Sequence, residues 1–262
     1  MPVLLERHRH VGLVILSRPH ARNCWGEDFN REFLAVFREI ESDDEIRCVI
    51  VTGDEAGGAF SAGADLKNPD THSTGSVAEF IKDLPNWRDF PVRVVSDCPK
   101  PVIAAVNGYA IGIGCILTYG CDLIVASERA EWRLPQARLG IMPAYGGAVR
   151  LARWIGKGNA MKLAMGFPMS GEEAFRLGLA QWLVPHEELM KTAFAVAESI
   201  ATQPPLATRL TKESVDRGLD IPNLNDASLV DAYRFMALEL TEDKRAAHEA
   251  WREKKTPNIT GR

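Results

Sequence analysis

The chain has 262 residues, enough for one large domain or one domain with an appendage. Hydrophobic residues make up 46% and charged residues 25%, the balance of an ordinary globular protein. A net charge of −4 argues against a nucleic-acid surface, and no apolar run approaches the ~20 residues that span a bilayer.

The first part alternates apolar runs with helical patterns. Val11 to Leu16 is a strand-like run ended by Arg18-Pro19. From Asp28 to Ile40, Phe29, Phe33, Leu34, Phe37 and Ile40 recur at helical spacing. Cys48 to Thr52 is a short continuous apolar run, the pattern of a strand buried on both faces. Gly53 to Ala59 reads as a glycine-rich loop. Val102 to Val106 and Leu123 to Ala126 repeat the strand pattern, with a helix-compatible segment, Gly114 to Tyr119, between them. This alternation predicts an α/β fold with mainly parallel strands. Ser170-Gly-Glu-Glu173 is a capping box whose helix should stop near Gly178, and Gln181 to Val184 returns to strand character. From Leu189 the pattern is helical, ending in Ala227 to Leu240 and Glu242 to Lys255, with breaks at Pro204-Pro205 and Pro222.

The N-terminus lacks the order of a signal peptide. The five cysteines are odd in number and none lies in a Cys-x-x-Cys pair, so reduced thiols and a cytoplasmic location are expected. Each cysteine reads as a small buried hydrophobe. No paired Cys/His or His-Glu-x-x-His motif suggests a metal.

Two glycine-containing turns follow apolar runs, Ala62-Gly63-Ala64-Asp65 and Gly112-Ile113-Gly114. Such turns let backbone N–H groups approach a ligand closely, and a helix start adds unpaired donors and a favourable dipole. A dinucleotide site fails on spacing, because Leu117 stands where a third glycine is needed. A P-loop fails because Gly156-Lys157 is followed by Gly158. Ala59-Phe60-Ser61-Ala62-Gly63 approximates a nucleophile elbow, but a glycine-rich stretch separates it from its strand.

With Asn107-Gly108-Tyr109-Ala110, Cys121-Asp122 and Leu134-Pro135-Gln136-Ala137-Arg138 to Gly147, these turns closely resemble the crotonase superfamily (enoyl-CoA hydratase/isomerase) over almost the whole chain. The resemblance implies a spiral of ββα units with a C-terminal helical region. We divide the chain into a core at residues 1–195 bearing an acyl-CoA site and a trimerisation region at 196–262. It implies an oxyanion hole for a thioester, with backbone donors at Ala64 and Ile113. Ile113, where glycine is more usual, should narrow the space around the reacting carbon. CoA contacts carry over onto His20, Ala21 and Arg22, onto the loop of Ala62, Asp65, Leu66 and Lys67, and onto Trp251 and Lys254, which are often lent across a subunit interface. A solvated helix face explains the last two equally well. CoA would enter as part of the substrate, with no permanently bound cofactor, in a homotrimer or dimer of trimers.

Hydratases of the family use two glutamates to handle the protons of water and of the α-carbon. Here those positions hold Ile116 and Gln136, and a third acid position used by other members holds Ala144. Gln136 can hydrogen-bond but cannot act as a base near neutral pH. Tyr145 is the nearest titratable residue, either a proton donor or a packed core tyrosine. Glu79, Glu131 and Arg133 read as surface charge. Trp25, Phe60, Trp87 and Trp132 fit either an aromatic-lined pocket or the core. Two functions stay open: an acyl-CoA enzyme other than an ordinary hydratase, or a catalytically silent acyl-CoA-binding protein.

Overall fold

A computed structural model describes residues 1–67, 76–78, 81 and 90–262. Glu79 and Trp87 lie outside the described residues.

One six-stranded sheet has the order β1-β2-β3-β5-β7-β10, built from β1 (Val3–His8), β2 (Val11–Leu16), β3 (Cys48–Gly53), β5 (Val102–Val106), β7 (Leu123–Ser127) and β10 (Trp182–Val184). Only β1 runs antiparallel to its neighbour; the rest pair in parallel. A four-stranded sheet has the order β4-β6-β8-β9, from β4 (Ala59–Ser61), β6 (Tyr109–Ile111), β8 (Glu131–Arg133) and β9 (Met169–Ser170). After the β1–β2 hairpin, strands from β3 onward come in pairs, one to each sheet. This matches the expected crotonase-like spiral.

The large sheet explains why its strands read as unbroken apolar runs. Val49 and Val51 join a core on one face with helix α1 (Glu27–Ser42), through Phe29, Phe33, Phe37 and Ile40. Cys48, Ile50, Ile103 and Val125 point the other way, onto Leu189, Ala193, Ala197 and Ala201 of a later helix (Leu189–Ala201). Each face is covered, so both side-chain sets of a strand are apolar. All five cysteines are buried and none forms a disulfide. Trp25, Phe60 and Trp132 are also fully enclosed, which settles them as core rather than pocket lining.

The second sheet was not anticipated. Gly53 to Ala59, read as a loop, contains a 3-10 turn at Glu55–Gly57 and ends by opening β4. Strands of two or three residues carry no period that a sequence could display. Helix α2 (Pro91–Asp97) precedes β5, and the predicted segment after β6 is α3 (Ile113–Thr118). Helix α4 (Gly147–Ala164), also unanticipated, is interrupted at Gly156, whose φ of 77° is not helical. The N-cap half of the box forms: the Ser170 Oγ accepts from the Glu173 N–H at 3.2 Å and starts α5 (Gly171–Arg176), while the Glu173 carboxylate pairs with Lys162 at 2.7 Å.

The last helices are α6 (Leu189–Ala201), α7 (Pro205–Gly218), α8 (Leu224–Glu239) and α9 (Glu242–Glu253). The C-terminal tail folds back on α9. Buried Asp243 accepts from the Thr260 and Gly261 amides at 2.7 and 2.8 Å. Among the described residues, no helix is long and apolar enough to cross a membrane.

Candidate active site

The two glycine turns meet. Strand β4 leads into Ala62-Gly63-Ala64, and its neighbour β6 leads into Gly112 and α3. A Cβ placed on Gly112 would lie 3.9 Å from the Gly63 Cα, and one on Gly63 would lie 2.8 Å from the Ile111 carbonyl oxygen. Both glycines have positive φ, 89° at Gly63 and 56° at Gly112, so the approach needs residues without a Cβ.

The orientation of the first turn follows from its pairing with Trp25. The Trp25 N–H donates to the Gly63 carbonyl at 2.7 Å, and the Asp65 N–H donates to the Trp25 carbonyl at 2.8 Å. In a parallel bridge of this pattern the middle residue, Ala64, turns its own N–H to the opposite side. Ile113 is the first residue of α3, where the helix offers an N–H that no intrahelical carbonyl reaches.

The N-terminal loop is bound to the same turn. The Ala62 N–H donates to the Arg22 carbonyl at 3.0 Å, and Arg18 pairs with Asp65 at 3.0 Å. Asp65 also accepts from the Lys67 N–H at 3.0 Å, so its carboxylate holds the loop in shape. His20, Arg22, Leu66 and Lys67 are exposed around it, and Ala21 is half-buried. Sequence reading missed Asn23, the hub of this region. Its side chain donates to the Asp54 and Ala59 carbonyls at 3.0 and 2.8 Å and accepts from the Arg18 N–H at 3.0 Å. Arg22 and Asn23 both have positive φ, which asparagine tolerates better than most residues, and Asn shortly after Pro19 was the available signal.

Ile116 is 2% exposed and faces α4: its Cδ1 and Cγ1 lie 2.8 and 3.0 Å from where a Gly147 Cβ would stand, beside the Pro143 Cβ. Gln136 opens a 3-10 turn (Gln136–Leu139), and its Nε2 lies 3.6 Å from the position of a Gly112 Cβ. The Gln136 side chain therefore borders the paired turns, while Ile116 packs against the start of α4. The Gln136 Oε1 is buried and accepts no hydrogen bond among the described residues.

Tyr145 is half-buried with a φ of 58°, a left-handed conformation that is strained for a bulky residue. Its ring stacks on Phe90, with centroids 3.5 Å apart at 16°, and burial pushes its hydroxyl up to about 12. Phe90 had no distinguishing signal in the sequence. Ala144 is half-buried beside Tyr145. Glu131 and Arg133 pair with each other on β8, and the guanidinium lies 5.0 Å from the centre of the Tyr109 ring.

Trp251 and Lys254 are not brought to this site within one chain. Trp251 is 82% exposed on α9, and Lys254 ends that helix with a φ of 55°. No hydrogen bond or ion pair among the described residues links either to His20–Arg22 or to Ala62–Lys67.

The family model described as enoyl-CoA hydratase/isomerase matches residues 6–262. The chain is 36% identical over 255 residues to a short-chain-enoyl-CoA hydratase of Clostridium acetobutylicum, covering 97% of this chain and 95% of that protein. It is 35% identical over 263 residues to a probable enoyl-CoA hydratase of Mycobacterium bovis, covering 99% and 98%. A crystal structure of an enoyl-CoA hydratase subunit from Geobacillus kaustophilus superposes with a TM-score of 0.90 at 33% identity, covering 100% of this chain and 99% of that one.

Proposed function

The chain belongs to the enoyl-CoA hydratase/isomerase family, and from that premise we propose that it is an acyl-CoA enzyme holding a thioester oxyanion between the Ala64 and Ile113 N–H groups. The observation that supports this reading is the meeting of the Gly63 and Gly112 turns. Forming an enolate beside a thioester places negative charge on the carbonyl oxygen. Fixed backbone donors stabilise that charge by about 2.7–4 kcal/mol each in comparable sites. His20, Ala21, Arg22 and the Ala62–Lys67 loop would carry CoA, which arrives as part of the substrate. In a homotrimer or dimer of trimers acting in the cytoplasm, Trp251 and Lys254 would complete the CoA site of a neighbouring copy.

The enzyme is not an ordinary hydratase. Hydration needs one group to take a proton from water and another to deliver one to carbon, and each contributes about 10²–10⁴-fold. Ile116 and Gln136 stand where we place the family's two glutamates, and Ala144 fills the third acid position. Tyr145 is then the nearest titratable residue in the motif. Held at about 12, it stays protonated near neutral pH and serves as a hydrogen-bond donor to developing charge, or as a weak acid.

A panel of acyl-CoAs incubated with the protein and followed by mass spectrometry tests the reading. Turnover of any member supports the enzyme. Binding with no turnover of any would leave the second reading, a catalytically silent acyl-CoA-binding protein, which the lack of carboxylates at 116, 136 and 144 favours.

A further inference from the structure

Helix α9 (Glu242–Glu253) carries Trp251 but has little apolar surface of its own to dock it. Its buried residues are Asp243 and Ala250, with Ala246 and Ala247 half-buried. Alanines take little area out of water, whereas α1 is held by Phe29, Phe33, Phe37 and Ile40. A polar clasp at the start of α9 takes the place of such packing. The Asp243 carboxylate, 1% exposed, accepts from the Thr260 N–H at 2.7 Å, the Thr260 hydroxyl at 3.3 Å and the Gly261 N–H at 2.8 Å. In return the Asp243 N–H donates to the Arg262 backbone oxygen at 2.9 Å. An N–H in the first turn has no intrahelical carbonyl to reach, and the returning chain supplies an acceptor.

Residues 255–262 form a strap along the helix. The chain turns at Lys254, where φ is 55°, and is back at Asp243 by Thr260. That length of helix is about 16 Å, and six residues span about 20 Å when fully extended, so little slack remains. Pro257, Ile259 and Gly261 are half-buried while Asn258, Thr260 and Arg262 are exposed, the alternation of an extended segment lying on a surface. The inner side rests on the body of the chain. Arg47 Nη2 donates to the Ile259 carbonyl at 3.2 Å, and a Cβ on Gly261 would lie 3.4 Å from the Pro205 Cγ. One segment thus fastens α9 to the start of α7 and to the residue before β3.

We propose that Asp243 is a positioning residue for substrate binding: by clasping residues 259–261 it sets the direction in which α9 presents Trp251 and Lys254 to the CoA of a neighbouring copy. This rests on the acyl-CoA reading above. Trp251 lies about 12 Å along the helix from the clasp, so a tilt of about 10° there moves the ring by about 2 Å. A gap of even about 1 Å forfeits much of a dispersion contact.

Calorimetric binding of crotonyl-CoA tests this, with light scattering on the same samples. Asp243→Asn keeps the size of the side chain and loses one acceptor oxygen. A second variant lacks residues 257–262 and keeps Asp243, so the clasp is opened from either side. Each should bind crotonyl-CoA about fivefold more weakly than the unmodified protein, the scale of one aromatic anchor, at unchanged assembly mass. Added to Trp251→Ala with Lys254→Gln, Asp243→Asn should change affinity by less than about twofold, because contacts already lost cannot be misaimed. A purely structural clasp would lower the denaturation midpoint and leave affinity unchanged, which overturns the inference. A fall in mass, or a further fivefold loss on the Trp251 and Lys254 background, also overturns it. Those results leave the acyl-CoA reading standing; failure of the unmodified protein to bind crotonyl-CoA would sink that reading and this inference together.

Discussion

A methyl group added at Gly63 would stand 2.8 Å from the Ile111 carbonyl oxygen, and the residue's φ of 89° disfavours any side chain. Gly63→Ala should therefore destabilise the fold by about 1–3 kcal/mol. It should also cut acyl-CoA turnover by at least tenfold, because moving Ala64 misaims a donor. Denaturant unfolding and kcat/KM measured together check both; a variant with normal turnover would deny the turn its role. The acid positions support a second expectation. The unmodified protein should hydrate crotonyl-CoA far more slowly than an ordinary family hydratase assayed beside it. Gln136→Glu with Ile116→Glu should raise that rate. The structure adds a cost to the restoration, since position 116 is 2% exposed and lies against Gly147, so a carboxylate there would be buried. Equal rates for the unmodified protein and the ordinary hydratase would mean that another group, Tyr145 first, supplies the proton chemistry.

Among the elements, α7 is tied to the large sheet by a mostly buried ion pair. Lys212 Nζ lies 2.8 Å from Asp122 Oδ2 and also donates to the Lys100 carbonyl at 3.2 Å, while Asp122 accepts from the Val102 N–H at 2.6 Å. The side chains are 9% and 19% exposed. Asp122→Ala leaves the lysine charge without a partner and should cost about 3–5 kcal/mol, seen as a lower denaturation midpoint. Burial raises the Asp122 carboxyl to about 6 from its ordinary 3.8, despite the neighbouring lysine. A carboxyl raised in the fold binds more protons there than in the unfolded chain between those values. Its contribution to stability is therefore present below about pH 4 and lost as pH rises through 6. Urea unfolding from pH 4 to 6.5 should show this downward slope flattened in Asp122→Asn. An unchanged slope would assign the proton uptake to another group, such as Asp216, which burial also raises.

Across the described residues, the apolar side chains that one chain leaves open fall mainly in two stretches, Leu139 to Phe175 and Val215 to Trp251. On α8, the face toward the chain carries Ala227, Val230 and Arg234, the last paired with Glu213 at 3.0 Å. Leu229, Tyr233, Phe235 and Met236 of this helix, and Leu240 just after it, are all more than half exposed. Contiguous apolar area of this kind marks an interface. Light scattering at micromolar concentration should return a mass three or six times that of the chain, and Leu229→Asp with Tyr233→Asp should lower it. A monomer mass for the unmodified protein would remove the trimer from consideration. If Trp251 is lent to a neighbour, Trp251→Ala should raise KM for acyl-CoA about fivefold or more, the effect of losing an aromatic anchor of about 1 kcal/mol.

What the sequence determined by itself was local and covalent in origin. Runs such as Cys48–Thr52 and Val102–Val106 are apolar on both faces because helices cover both sides of their sheet, and that pattern is written residue by residue. Ser170 with Glu173 likewise announces a helix start, since the cap is made within four residues. The two glycine turns were legible for the same reason: only residues without a Cβ fit them. The small sheet was not legible, because β4, β6, β8 and β9 are held by neighbours far along the chain and are too short to show a period. The folded chain alone decided that Gly63 meets Gly112, that Gln136 borders them with an unpaired oxygen, and that Phe90 lies flat on Tyr145. Those relations join residues tens of positions apart, and no propensity or spacing encodes a distance that arises only when separate elements pack together.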